Sequence, residues 1–124
     1  MGPPAPIPQG IHRTDILGFL GVYTFVYIMT FTWDPEKSNS NLRERGFDFE
    51  FAARVFEGIT LKRDDCRKEY GERRVVAVGV AEGIHLTIVY TDRTDPESGV
   101  VRRIISARRS NRRERQAYLE ASEG

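Results

Sequence analysis

Residues 84–93 constrain the fold more than any other segment of the chain. In a β-strand, side chains at alternate positions point to opposite faces. One face of this segment is apolar and carries Ile84, Leu86, Ile88 and Tyr90. The other carries His85, Thr87, Val89, Thr91 and Arg93. Glu82-Gly83 comes just before, after a β-branched run over residues 73–81, and indicates a hairpin. The pattern predicts an antiparallel sheet with an apolar face and a polar, solvated face.

Residues 34–57 predict two short helices that cover the apolar face. Asp34 can cap the first helix, Pro35 suits its first position, and Gly46 would end it in a left-handed conformation. Asp48 caps a second helix, whose apolar side chains recur at helical spacing: Phe49, Ala52, Ala53 and Phe56. Two helices joined this closely form an αα-hairpin, which must pack on an apolar surface.

Further strands are predicted at residues 30–33, 59–62 and 100–109. After the last of them, Asn111 with Glu114 three residues later resembles a capping box that opens a terminal helix. The predicted order is β-α-α-β-β-β-β-α. This is an α+β fold with the N-terminal αα-hairpin on one face of an antiparallel sheet and a C-terminal helix.

The first 28 residues differ from the rest of the chain. Residues 1–15 are rich in Pro and Gly, and residues 16–33 contain no charged side chain. That run only reaches the lower length limit for a membrane helix, and its flanks do not resemble a signal peptide. Three interpretations stay open: an upstream in-frame extension of a protein that begins at Met29, a dispensable disordered tail, and a membrane or export segment. We assign the folded domain to residues 29–124 and expect no membrane association.

The basic residues are strongly biased toward arginine, with 16 Arg against 3 Lys. Seven of the arginines fall within residues 101–115, although the net charge of the chain is only +1. Because the guanidinium fork suits phosphate groups, this stripe favours a polyanionic partner on one face. The single cysteine, Cys66, allows no internal disulfide and is typical of a reducing, cytoplasmic compartment.

The sequence has no nucleotide-binding or zinc motif, so we predict neither a cofactor nor a metal. A ribonuclease mechanism with two histidines is also excluded, because His12 and His85 are the only ones and His12 lies in the first 28 residues. RNA carries its own nucleophile, the 2′-hydroxyl. Cleavage therefore needs only groups that orient it, stabilise the phosphorane and move protons. Arginines that converge on the polar sheet face would serve, and the pattern places Arg93 there, with Arg73 and Arg108 contributed by neighbouring strands.

Four stretches resemble, in order, the BrnT family: FTWDPEKSNSNLRERGFDFEFAARVFEG, GERR, VYTDR and RRIISARRSNRRERQAYLE. The resemblance extends from Met29 to about Glu120, and WDPxK followed by RIISAR is its most specific part. It implies a RelE-like fold and a ribosome-independent endoribonuclease toxin of a type II toxin–antitoxin system. It also implies a BrnA-like ribbon-helix-helix antitoxin, which would neutralise the toxin and connect it to operator DNA.

The resemblance places the family's functional arginines on Arg93 and Arg108, with Lys37 as a weaker candidate for proton transfer. Contacts to RNA are assigned to the following side chains: Arg73, Arg102, Arg109, Arg45 and Tyr118. The family commonly has a histidine at the position of Arg45. That departure keeps open a rival interpretation, a catalytically degenerate toxin that only binds its antitoxin or RNA. Two simpler interpretations also stay open, Lys37 as a solvated helix residue and Arg93 as a turn ion pair with Asp92 or Asp95.

Overall fold

The computed structural model describes residues 29–97 and 99–123, so the prediction for residues 1–28 lies outside it. In chain order the elements are β1 (Met29–Trp33), α1 (Pro35–Arg45), α2 (Phe49–Ala53), a 3₁₀ turn (Arg54–Glu57), β2 (Leu61–Asp64), β3 (Val75–Ala81), β4 (Ile84–Asp95), β5 (Gly99–Arg109) and α3 (Arg112–Glu123). The predicted element order and the α+β class are confirmed. None of the helices in the described ranges is long and apolar enough to cross a membrane.

The helical hairpin begins and ends at the predicted capping residues. The Asp34 carboxylate accepts a hydrogen bond from the Glu36 amide at 2.9 Å, and Gly46 ends α1 with a φ of 89°. The Asp48 carboxylate accepts from the Phe51 amide at 2.9 Å and so caps α2. Because α2 ends at Ala53 and continues as the 3₁₀ turn, the second helix is shorter than the pattern predicts.

The five strands of the sheet lie in the order β1-β5-β4-β3-β2. The hairpin between β3 and β4 forms where predicted, with positive φ values at Glu82 and Gly83. Four strands pair antiparallel, but β1 pairs parallel with β5, so the sheet is mixed rather than purely antiparallel. The parallel pairing arises because the helices follow β1 along the chain, so β1 is not joined to its neighbour by a hairpin. It pairs instead with β5, the last strand of the sheet.

The αα-hairpin packs on one face of the sheet, which we call the hairpin face. The core lies between the two layers, and its large, fully buried side chains include Phe31, Phe49, Val55, Leu86, Ile88 and Ile104. The alternation in residues 84–93 is therefore confirmed, since Leu86 and Ile88 point into this core. Burial of such side chains is the main source of stability, at roughly 1.5–3 kcal/mol for each large one.

The opposite face, which we call the α3 face, is only partly solvated. A second cluster of buried side chains lies on it, formed by Val76, Val89 and Ile105. Thr87, on the same face, is only 1% exposed. The expectation of a wholly polar, wet face is thus wrong in its central part.

Two segments cover the α3 face. Helix α3 packs on β3 and β4, where the Tyr118 ring lies edge-on to His85 with centroids 5.6 Å apart. The β2–β3 loop, residues 65–74, also leans over the face, since its Glu72 hydrogen-bonds to Arg103 on β5. The face is open to solvent toward the far end of β4, where Arg93 is exposed, as is Arg103 on the neighbouring strand β5.

Candidate functional site

A cavity of about 340 Å³ lies at this open end of the α3 face. Its lining comes from β1, the β2–β3 loop, β4 and β5: Thr32, Glu72, Thr91, Asp92, Arg93, Val101 and Arg103. We call it the Arg93 pocket. It is the place where the structure brings cationic, anionic and hydroxyl side chains from four separate segments to one solvent-accessible surface.

The strand register explains why Arg93 and Arg103 share this pocket. Arg93 pairs with Val101 across β4 and β5, and Thr91 pairs with Arg103. The two arginines are therefore diagonal neighbours on one face, at a spacing of roughly 7–8 Å. Thr32 of β1 pairs with Arg103 from the other side and completes the row. Two guanidiniums at this spacing are suited to hold one anion between them.

Arg93 differs from Arg103 in having no hydrogen-bond partner among the residues that the structure describes. Its side chain is exposed and forms no hydrogen bond or ion pair with residues 29–97 or 99–123. The carboxylate of the neighbouring Asp92 is used elsewhere: both of its oxygens accept bonds from Arg102 at 2.8 Å. An ion pair between Arg93 and Asp92 is therefore not formed, and no described residue occupies the donors of Arg93.

Glu72 is held over the pocket by the β2–β3 loop. Its Oε2 atom accepts hydrogen bonds from Arg74 Nε at 3.0 Å and from Arg103 Nη2 at 3.4 Å. The Thr91 hydroxyl donates to the Arg73 carbonyl oxygen at 2.7 Å and ties the loop to β4. Asp65 also orders the loop, because its carboxylate accepts hydrogen bonds from the Arg67 guanidinium. These bonds lower the pKa of Asp65 to about 2.

Arg108 occupies a second site on the α3 face, beside the start of α3. Its Nη1 and Nη2 atoms donate to the two carboxylate oxygens of Glu114 at 2.8 Å and 2.7 Å. Thr87 Oγ1 and the Asn111 amide also donate to Glu114 Oε1, both at 2.9 Å. The Arg108 hydrogen bonds lower the pKa of Glu114 to about 2, and the same pair raises the pKa of Arg108.

This arrangement confirms the predicted capping box. The Asn111 side chain accepts from the Glu114 amide at 2.8 Å while Glu114 returns the bond. Arg108 also donates hydrogen bonds to the Glu114 carboxylate of this box, a contact that the sequence pattern does not indicate.

Arg93 and Arg108 share a face but not a site. Arg108 pairs with Thr87 and Arg93 with Val101, so the two arginines lie six positions apart along β4, or about 20 Å. Arg108 turns toward Glu114 instead of toward Arg93. The predicted convergence of these two arginines on one phosphodiester is therefore not present in this conformation.

Two other predicted RNA contacts lie on the hairpin face. Arg102 is 6% exposed, and its guanidinium carbon lies 4.7 Å from the Phe56 ring centroid and 4.0 Å from that of Tyr90. Arg109 lies 6.0 Å from the Phe47 ring centroid. Both arginines thus stabilise the packing of the αα-hairpin on the sheet.

The remaining predicted residues lie outside the Arg93 pocket. Lys37 is exposed on α1 and is not part of the pocket lining. Arg45 donates to the Ala107 carbonyl oxygen at 2.8 Å and connects α1 to β5. The Tyr118 hydroxyl donates to the Ile59 carbonyl oxygen at 3.0 Å, and Arg73 forms an ion pair with Asp64. In this structure Arg45, Tyr118 and Arg73 all have structural partners.

Sequence reasoning missed Arg103 and Glu72 as members of the pocket. Arg102 and Arg103 are adjacent, so one must point to each face, and the surrounding valines and isoleucines do not indicate which. Glu72 lies in the GERR stretch, but only the folding of its loop over the sheet brings it to Arg103. A cluster of three or more His, Cys, Asp or Glu side chains suited to a metal is absent from the described part of the chain.

Comparison with known proteins supports the same assignment as the resemblance. Residues 33–114 match the model of a family described as the ribonuclease toxin, BrnT, of type II toxin–antitoxin systems. The match covers β1's last residue through the capping box, and so includes both arginine sites. No curated protein matches the chain. Because the family match spans well over half of the chain, this protein belongs to the BrnT family of ribonuclease toxins of type II toxin–antitoxin systems.

Proposed function

We propose that this protein is an endoribonuclease that cleaves RNA in the Arg93 pocket without a metal. The 2′-hydroxyl would attack the adjacent phosphate and leave a 2′,3′-cyclic phosphate and a 5′-hydroxyl. The observation that carries the proposal is Arg93 itself, an exposed guanidinium that has no partner among residues 29–97 and 99–123 and lies beside a second arginine, Arg103. A phosphate is the ligand that fits this pair by charge and by geometry.

The chemistry asks little more of the protein than charge stabilisation and orientation. The nucleophile is already next to the phosphorus atom, so holding the sugar and phosphate in line contributes through proximity. The phosphorane carries extra negative charge, and donors aimed at it are typically worth about 3–4 kcal/mol each. Arg93 and Arg103 would supply these donors from neighbouring strands of a rigid sheet.

Arg108 would bind a second part of the same RNA strand. Its side chain is 44% exposed and its Nε atom forms no hydrogen bond within residues 29–97 and 99–123. At about 20 Å from Arg93 along β4, it is suited to a phosphate several nucleotides from the reacting one, since stacked strands rise about 3.4 Å per nucleotide. We assign it to substrate binding in addition to its role in the capping box.

A type II toxin is paired with an antitoxin, and we propose that the partner here is a BrnA-like ribbon-helix-helix protein. It would neutralise the nuclease in the cytoplasm and bring the complex to operator DNA. The basic residues on the outer side of α3, among them Arg112 and Arg113, are candidates for this contact.

The proposal is tested by incubating the purified full-length chain with RNA in excess chelator and mapping the ends of the products. We expect fragments with 5′-hydroxyl and 2′,3′-cyclic phosphate ends. Arg93→Ala should lose this activity, while Arg43→Ala, which removes an exposed arginine of α1, should retain it. Intact RNA with the unmodified protein would reject the nuclease and leave the rival interpretation, a degenerate toxin that only binds its antitoxin or RNA.

A further inference from the structure

Charge stabilisation by Arg93 and Arg103 does not use Glu72, which also lines the Arg93 pocket. The lining contains two carboxylates, Glu72 and Asp92, and both oxygens of Asp92 are bound to Arg102. Glu72 differs, because its two hydrogen bonds both end on Oε2. Its Oε1 atom accepts no hydrogen bond from residues 29–97 or 99–123. The pocket therefore holds one carboxylate oxygen that is free to accept a proton.

Cleavage also lacks a proton acceptor. Lys37 is outside the pocket, and His85 lies beneath α3 against Tyr118. Arginine does not deprotonate in proteins, so Arg93 and Arg103 cannot remove a proton from the 2′-hydroxyl. Among the residues that line the pocket, Glu72 is the one with an uncommitted basic atom.

We propose that Glu72 is the general base of this nuclease, an assignment that rests on the function proposed above. Glu72 Oε1 takes the proton of the 2′-hydroxyl as the 2′-oxygen forms its bond to phosphorus. The bond from phosphorus to the 5′-oxygen then breaks, and that oxygen takes a proton from water. Glu72 returns its proton to solvent, so the carboxylate is restored and no proton is gained or lost overall.

The surroundings of Glu72 favour this role. Arg74 and Arg103 hold the carboxylate by one oxygen only, which fixes its orientation and leaves the other oxygen without a donor from residues 29–97 or 99–123, in a side chain that lines the cavity. The Arg74 guanidinium is itself held 4.1 Å from the Tyr70 ring centroid, so the anchor is rigid. The same guanidinium of Arg103 faces both the base and the site proposed for the phosphate. A base and a charge-stabilising donor are thereby positioned together, as proton transfer to an oriented group requires.

A purely structural role for Glu72 makes a different prediction. If it only holds Arg103 in place, Glu72→Gln should act on binding, because the amide oxygen still accepts from a guanidinium but more weakly. A general base acts on the chemical step and on its pH dependence, because only the carboxylate can take up the proton. Binding and chemistry must therefore be measured separately.

The experiment uses the full-length chain, Glu72→Gln, and Glu69→Gln as a matched control from the same loop, where Glu69 is exposed. Single-turnover cleavage of a short oligoribonucleotide is followed against pH at saturating protein. Affinity is measured with the all-deoxy oligonucleotide of the same sequence, which cannot be cleaved because it lacks the nucleophile. Urea unfolding of each variant establishes that it is folded.

We expect Glu72→Gln to cleave about 100- to 10,000-fold more slowly. The fall in rate toward acid pH, present in the unmodified protein and in Glu69→Gln, should be absent from this variant. Its affinity for the deoxy oligonucleotide should be the same or higher, because one negative charge is removed. Glu72→Asp, which keeps the carboxylate on a shorter stem, should recover part of the rate.

Two results overturn the assignment while the nuclease stands: an unchanged rate and pH profile in Glu72→Gln, or a weakened affinity with an unchanged rate at saturation. Absence of cleavage by the unmodified protein overturns the proposed function itself, and the assignment of Glu72 with it.

Discussion

The Arg93 pocket and the Arg108 site occupy one sheet face and use the same pair of strands, yet they are chemically opposite. Arg93 has no partner in the described part of the chain, whereas Arg108 gives two hydrogen bonds to Glu114, which accepts two more from Thr87 and Asn111. A satisfied guanidinium contributes to stability, while an unsatisfied one at the surface is available to a ligand. The comparison shows that two arginines with equal standing in the sequence can have different primary roles.

This difference between the two arginines follows from the segment that covers the α3 face beside each of them. Arg108 lies one residue before the end of β5, close to the start of α3, and the first turn of that helix places a carboxylate beside it. Arg93 lies at the opposite end of β4, where α3 does not reach and only the β2–β3 loop approaches. The loop places its carboxylate on Arg103 and leaves Arg93 open.

The largest effect is expected from Arg93→Ala, the change that removes the open cation. Cleavage should fall about 100- to 1000-fold, as when one transition-state donor is lost elsewhere. The free energy of unfolding should change by less than about 0.5 kcal/mol, because the side chain is exposed and is not paired with any residue that the structure describes. Kinetics and denaturant unfolding of the same preparation measure both. A clear loss of stability would mean that Arg93 is structural after all.

Arg108→Ala should show the reverse pattern. It leaves the Glu114 carboxylate, which is 15% exposed, without its strongest donor, so the free energy of unfolding should fall by about 2 kcal/mol. Cleavage should fall only about tenfold at conditions where the variant is folded. Arg108→Ala combined with Glu114→Ala should regain part of the stability. If cleavage fell as steeply as in Arg93→Ala with the fold intact, the separation into two sites would be wrong.

The pH dependence of stability isolates the Arg108 site further. The pKa of Glu114 is lowered from 4.5 to about 2, so its contribution is present above the unfolded value and is lost as the pH falls toward 2. The unmodified protein should exceed Glu114→Gln by about 1–2 kcal/mol near neutral pH, and this margin should vanish near pH 2. Asp65 titrates in both proteins and does not affect the difference. A margin that stays constant across this range would contradict the assignment.

The smallest effect is expected in the salt dependence of nucleic-acid binding, compared between an arginine on each sheet face. For binding of an all-deoxy oligonucleotide, Arg103→Gln should reduce the slope of log affinity against log salt by about 0.7, the value for one phosphate contact on a single strand. Arg109→Gln, which changes an arginine on the hairpin face, should leave the slope unchanged. Equal changes in both variants would mean that nucleic acid contacts both faces.

Local sequence determined most of the architecture. The caps at Asp34 and Asp48, the stop at Gly46 and the hairpin at Glu82-Gly83 all form as predicted. These features are readable because each depends on the conformational preferences of a few adjacent residues. The alternation in β4 likewise depends on nothing beyond the pleat of one strand. The family resemblance added Arg93 and Arg108, but no spatial relation between them.

Tertiary structure alone decided which charged groups meet. The bond between Arg103 and Glu72 joins residues 31 positions apart, and that between Thr87 and Glu114 joins residues 27 apart. Each depends on how a loop or helix folds back over the sheet. The parallel placement of β1 beside β5 has the same origin. Periodicity assigns a side chain to a face of its own strand, but its partner across that face is set by packing, which short-range preferences do not encode.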